Sequence, residues 1–245
     1  MSSNNGKKKN TSLLHEAIPH IEELRKRLMY SAIVLILATI AAFSFSEYLI
    51  NALTAFLLSG KNITLHFFDV SEPFTFRIKA SFIAGVFATI PFHIFHITRF
   101  ILPALKKSEK RMLACVIIAG TLLFYTGASL SFMFALPQTI DIMLGFAPKN
   151  MTSSINANSF MSFISYFVFF GGIIFEMPVI SFVLSKIGII KKRTLYRKRK
   201  FALVAIWVIA AVITPPDVLS QTIAAIPMML LYEISAFIAF ICARE

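Results

Sequence analysis

Three groups of side chains in this sequence have types and spacings that could do chemistry. In the stretch HEAIPH, His15 and His20 stand five apart with Pro19 between them. A metalloprotease helix needs two His four apart on one face, so this spacing cannot gather two metal ligands. His93 and His96, three apart in an apolar run, could ligate a metal or relay protons. No Cys, Asp or third His lies near them in sequence, and the expectation is neither metal nor cofactor. The third group is carboxylates inside apolar segments: Glu176 is the one formal charge between Phe160 and Ser185, and Glu233 the one between Thr222 and Ala243. An acid at membrane depth is costly, faces protein or water, and marks an ion path or ligand site. There is no Gly-rich phosphate loop, no GxSxG and no Ser/Lys constellation, so the chain reads as a non-enzyme.

The elements that must position these residues are transmembrane helices. Of 245 residues 57% are hydrophobic, with 26 Phe and only 15% charged, a composition far from that of soluble domains. Six apolar runs are candidate spans of a hydrocarbon core about 30 Å thick. They are Leu28 to Phe45, Ala80 to Thr98, Met112 to Leu136, Phe160 to Ser185, Phe201 to Ile213 and Thr222 to Ala243. The fifth rises only about 20 Å, too little to cross alone, and is expected to form a short hairpin with the sixth. In the turn ITPPDVLSQ, Thr214 reads as an N-cap, Pro215 as the first helical residue and Asp217 as the acid three residues on.

A net charge of +12 could suggest nucleic acid, but its distribution answers a different question. Sorted between alternating loops, twenty Lys and Arg fall on the side of the two termini; Lys61, Arg77, Lys79 and Lys149 fall on the other. The positive-inside rule then puts both termini in the cytoplasm of a multi-pass inner-membrane protein, with the bilayer rather than nucleic acid as partner. Residues 1–12 read as a disordered basic tail and 13–245 as one six-helix domain. Cys115 and Cys242 each lie within a span and read as small apolar packing residues. Leu14, Ala17, Ile18, Ile21, Leu24 and Leu28 recur at helical spacing, which suits a helix on the cytoplasmic surface leading into span one. Its charges allow Glu22 to pair with Lys26 and Glu23 with Arg27. Ser46 to Thr75 and Pro137 to Ser159 are long enough to build an outer cap. No internal repeat is visible, which argues against inverted-repeat transporters.

Six motifs occur in order: HIEELRKRL, PFTF, RFILPALKKSEKR, LLFYTG, GGIIFEMP and TPPDVLSQTIAAIPMMLLYE. From about His20 to the C-terminus the chain resembles the TatC subunit of the twin-arginine protein translocase. His96 and Thr98 depart from the Gln and Trp common before the family's FIxPxL motif. The resemblance implies an all-α fold of six helices in a concave, cupped arrangement with the last two short. It implies a signal-peptide receptor and core of an oligomeric complex that exports folded proteins on the proton-motive force. TatA-type and TatB-type single-span proteins would be its partners, and its cargo would carry a signal peptide with two adjacent Arg. Matching the motifs places the signal-binding acids at Glu23 and Glu109, with Phe100 and Pro103 shaping the surface beside them and Arg25 orienting the carboxylates. Carboxylates suit that ligand because Arg binds them through two parallel charge-assisted bonds. Thr214 and Gln221 match positions that contact the single-span partners, and Pro73 falls in the outer cap.

Glu176 lies about 5 Å to the cytoplasmic side of the middle of span four. Gly171 and Gly172, one turn earlier, leave room for a close neighbour, and Pro178 frees the carbonyl of Ile174, favouring a kink. Glu176 is therefore expected either to tether helices or to project into the concave face, holding water and distorting the membrane where cargo passes. The competing reading is a proton-coupled small-solute transporter in which Glu176 and Glu233 carry protons.

Overall fold

The computed structural model describes residues 4–61, 63–101, 110–148, 153–215 and 217–243, with side chains from Glu22 onward except those of residues 101 and 110. Helix α1, Asn4–Phe43, runs 40 residues and takes in residues 4–12, where the sequence suggests a tail. α2 follows at Ser46–Leu58 and a short strand β1 at Ile63–His66. α3, Glu72–Ile101, carries span two and continues through Pro91. Span three is α4, Lys110–Leu130, joined through one π-helical turn, Ser131–Ala135, to α5, Leu136–Gly145. Pro137 explains the wider turn: its missing N–H and its ring disturb the hydrogen-bond ladder just ahead of it, and one π turn absorbs the mismatch. β2, Ser153–Asn156, leads into span four, split into α6, Ala157–Phe175, and α7, Met177–Lys186. A one-turn α8, Thr194–Arg197, precedes α9, Arg199–Ile213, and α10, Val218–Cys242.

Five segments are long and apolar enough to cross a membrane, and α9 supplies the shorter sixth helix of a multi-pass membrane protein. The 15 residues of α9 rise about 22 Å, short as expected. α10 is not short. It is 25 residues long, about 37 Å, because Pro227 is carried inside the helix rather than ending it. The start of α10 also differs from the sequence reading. Asp217, in extended conformation, is the N-cap, and its carboxylate accepts from the Ser220 N–H at 2.7 Å. Thr214 instead closes α9, its hydroxyl donating to Ala210 O at 2.8 Å. Of two candidate caps in one turn, the carboxylate three residues before a free N–H has the geometry a cap needs.

The main buried cluster gathers Phe124 of α4, Val86 and Ile90 of α3, Leu136 of α5, and Ile164 and Phe167 of α6. α4 and α6 approach closely because glycines face each other. A Cβ at Gly171 would stand 1.9 Å from Ser131 Oγ, and one at Gly172 2.6 Å from the Phe124 ring. Likewise α1 lies along α3 where Gly85 meets Thr39. α10 presents small residues, Ala225, Ser235, Ala236 and Ala239, all buried, and packs on α7 and α9. Without water to squeeze out, helices in lipid associate through such close contact.

The cap at the α3 N-terminal end has a strand pair that the sequence did not announce. β1 and β2 pair in parallel, Ile63 opposite Ser153 through His66 opposite Asn156. Lys61 bridges to Asp141 of α5, and Asn156 Nδ2 donates to Glu72 Oε1 at 2.7 Å. Pro73 sits in the first turn of α3, a position where its absent N–H costs nothing.

Candidate functional site

Glu176 stands at the break between α6 and α7. Pro178 has no N–H for Ile174 O, so the chain tightens: Glu176 N donates to Ile173 O at 3.0 Å, and Ile180 N resumes the ladder on Glu176 O at 2.9 Å. The kink expected from the sequence is present. The carboxylate turns toward α4, where buried Gly120 leaves the room; a Cβ there would lie 3.0 Å from Glu176 Oε2. Glu176 Oε1 is buried and makes no hydrogen bond among the described residues. An acid in that condition is expensive, and the expense is tolerated where water or a ligand reaches it.

Such access exists. Glu176 lines a cavity of about 610 Å³ bounded by α1, α3, α4, α6 and α7. Leu35 of α1, Ile83, Val86 and Ile90 of α3, and Phe169 and Ile173 of α6 form its apolar walls, with Lys79 among the lining residues. His93 also lines it, with Nε2 2.9 Å from Thr89 Oγ1. His96 is engaged differently: its ring centre lies 4.3 Å from that of Phe92 with the planes tilted by 53°, and its buried Nδ1 has no partner among the described residues. No three His, Cys, Asp or Glu side chains converge as metal ligands among the described residues.

Glu233 is separate from this cavity. It pairs with Arg199 of α9, whose guanidinium lies 4.5 Å from the Tyr196 ring centre. Tyr232 beside it donates to Leu195 O at 2.6 Å. Arg199 thus fixes the facing direction of Glu233, which the sequence left open.

Glu23 and Phe100 lie at one level. Taking the Thr39 and Gly85 contact as a common height, Glu23 is about 24 Å along α1 and Phe100 about 22 Å along α3, both toward the end opposite the cap. Glu23 is partly exposed and accepts from Arg27 Nε at 3.1 Å, the i,i+4 pair read from the sequence. Arg25 is exposed, and its guanidinium makes no ion pair among the described residues. Phe100 is half-buried in the last described turn of α3, next to Arg99, which lies over Phe95 at 5.8 Å. Pro103 and Glu109 lie outside the described residues. In the hairpin, Thr214 is buried, whereas half-exposed Gln221 donates to Trp207 O at 2.9 Å and keeps its side-chain carbonyl for another group. Residues whose part sequence reading missed are Gly120, Arg199 and Lys79, while Asp217 was read in the right turn but as the acid after the cap rather than the cap itself. An isolated Gly in an apolar run and a Lys counted only for its sign gave no local signal.

Fold and site together define a polytopic helical membrane protein with a carboxylate buried in a lateral cavity and acids at its basic end. Residues 19–227 match the model of the family described as Sec-independent protein translocase protein (TatC). The chain belongs to the TatC family. It is 33% identical over 228 residues to a Sec-independent protein translocase protein TatC of Carboxydothermus hydrogenoformans, covering 92% of this chain and 93% of the relative. Identity to that of Aquifex aeolicus is 35% over 229 residues, 92% and 95% of the two chains. A crystal structure of the twin-arginine translocase receptor TatC superposes with a TM-score of 0.82 at 35% identity, over 92% of this chain and 100% of the other.

Proposed function

We propose that this chain is the receptor and core subunit of a twin-arginine translocase, binding signal peptides with paired Arg and exporting folded proteins on the proton-motive force. The observation that carries the reading is the match in fold, over 92% of this chain, to a translocase receptor of the same family. The basic end of the bundle faces the cytoplasm of the inner membrane, so a cationic signal must find carboxylates amid like charge. Glu23 supplies one, partly exposed at the level of Phe100; Glu109 supplies the other, with Pro103 nearby in sequence. The Arg27 partner holds the Glu23 carboxylate in place and is exchanged for a signal Arg on binding. Arg25, one step along the helix, orients the approach.

Glu176 works at a later stage. Its carboxylate, unpartnered among the described residues and lining a cavity at membrane depth, holds water and loosens the lipid where cargo passes. The hairpin of α9 and α10 receives TatA-type and TatB-type helices, with Gln221 offering its free carbonyl and Thr214 keeping the end of α9 closed. The chain acts without enzymatic chemistry or cofactor. The transporter reading loses support with Glu233 ion-paired to Arg199.

The test is binding of a twin-arginine signal peptide to the purified protein and to Glu23→Ala and Glu109→Ala. Each variant is expected to lose at least ten-fold in affinity, while a peptide with Lys for both Arg binds poorly to all. Affinity equal to the parent in both variants removes the assignment. Complementation of a strain lacking its TatC, scored by export of a folded reporter, tests the function as a whole.

A further inference from the structure

The cavity that Glu176 lines has a cation far from the acid, about 22 Å along α3, and the two regions differ in what they can hold. Lys79 is half-buried on α3. Its ammonium donates to Ser162 Oγ at 2.8 Å and toward Asn158 O at 3.5 Å, both in the first turns of α6. An ammonium carries three protons, so one is left over. Lys61 and Arg77, the other described cations near the cap, face acids: Lys61 bridges to Asp141, and Arg77 lies 3.6 Å from Glu47. Lys79 forms no salt bridge with an acid among the described residues, although its charge favours the ionised form of the Glu72 carboxyl. Glu72, two turns before it, already accepts from Asn156 and from the Phe68 N–H at 2.8 Å. The N-terminal end of α6, with its positive partial charge, faces the same spot.

Direction and length identify what would fit. Side chains on a helix lean toward its N-terminus, so Lys79 reaches toward the cap and the headgroup layer on that side. From Lys79 to Ile94, which packs beside Gly120 and Glu176, α3 rises about 22 Å. One leaflet of a 30 Å core is about 15 Å deep. A chain from the cap-side leaflet would follow Phe82, Val86 and Phe169 and end about 7 Å short of the acid, so apolar and ionic parts do not collide.

We propose that Lys79 and this groove bind one phospholipid of the cap-side leaflet, its phosphate on the Lys79 ammonium and one acyl chain lying between α3 and α6. The site is independent of signal-peptide binding. Its occupant is a diacyl lipid with an anionic phosphate, not a free anion, because the apolar groove is the larger part of the site.

The experiment uses the purified chain in phosphatidylethanolamine bilayers doped with phosphatidylglycerol that carries a photoactivatable group at the end of one chain. Crosslinks are expected to concentrate on peptides containing Val86 and Phe169 rather than on the outward faces of α9 and α10. Lys79→Ala should lower them at least five-fold and Lys79→Arg should keep them. Photoactivatable diacylglycerol, which lacks the phosphate, should show no such concentration. Even labelling of all lipid-facing helices, equal labelling by diacylglycerol, or unchanged labelling in folded Lys79→Ala would each overturn the site. Should Lys79→Ala fail to fold, Ile83→Trp, which fills the groove between Lys79 and Val86 from a partly exposed position, decides instead: labelling that persists there overturns it.

Discussion

Glu176 combines three local features that are hard to satisfy together: a kinked backbone, a glycine opposite, and a carboxylate oxygen with no hydrogen bond among the described residues. A residue kept only to tether helices would bond across to α4, and Glu176 Oε1 does not. Replacing it by Ala is expected to leave binding of the signal peptide unchanged while export of a folded reporter is lost. Glu176→Gln, equal in shape but never ionised, separates charge from size. Export at the parental rate in the Ala variant would mean the acid is a passive packing residue. The presence and approximate depth of this acid could be read from the sequence, since one charge in an apolar run is conspicuous. Its neighbour Gly120 could not, because a contact between residues 56 positions apart leaves no trace in local spacing.

At the scale of elements, the contact of α4 with α6 depends on what glycine lacks. A methyl group on Gly171 would run into Ser131, whereas one on Gly145, at the end of α5, would meet nothing within 4 Å. Overpacking of this kind costs about 1 to 3 kcal/mol. Gly171→Ala should therefore lower the thermal midpoint of the detergent-solubilised protein by several degrees, and Gly145→Ala should not. Equal midpoints would show that the π turn carrying Ser131 yields at no cost. The same scale is where sequence reading fell short. The strands ITLH and SSIN are four residues each and pair across 90 positions, so neither alternation nor a hairpin turn betrays them. The turn ITPPDVLSQ contains two possible caps, and only the extended backbone at Asp217 decides between them. The last span, read from Thr222 to Ala243, is continuous in α10 through Pro227 to Cys242.

For the whole molecule, the distribution of charge predicts the orientation. Sorted by alternating loops, twenty of 24 Lys and Arg are expected on the side of the termini, while the β1 and β2 pair and the Lys61 to Asp141 bridge tie the cap together. The prediction is that a protease-cleavable tag at either terminus is cut only from the cytoplasmic side of sealed vesicles, and one inserted after Gly60 only from the opposite side. A terminal tag cut from the outside would reverse the topology and move Glu23 away from any cytoplasmic ligand. Six apolar runs made the six-helix plan legible; which helices touch depended on small residues that composition does not distinguish.

Trp207, whose backbone carbonyl receives the Gln221 amide, is the single Trp of the chain. Its indole is about one-third exposed, midway along the short α9. The protein's own fluorescence, excited beyond the tyrosine band, therefore comes from one point on the hairpin. An unlabelled sample carries its own optical gauge of whether that helix meets lipid, water or an arriving protein.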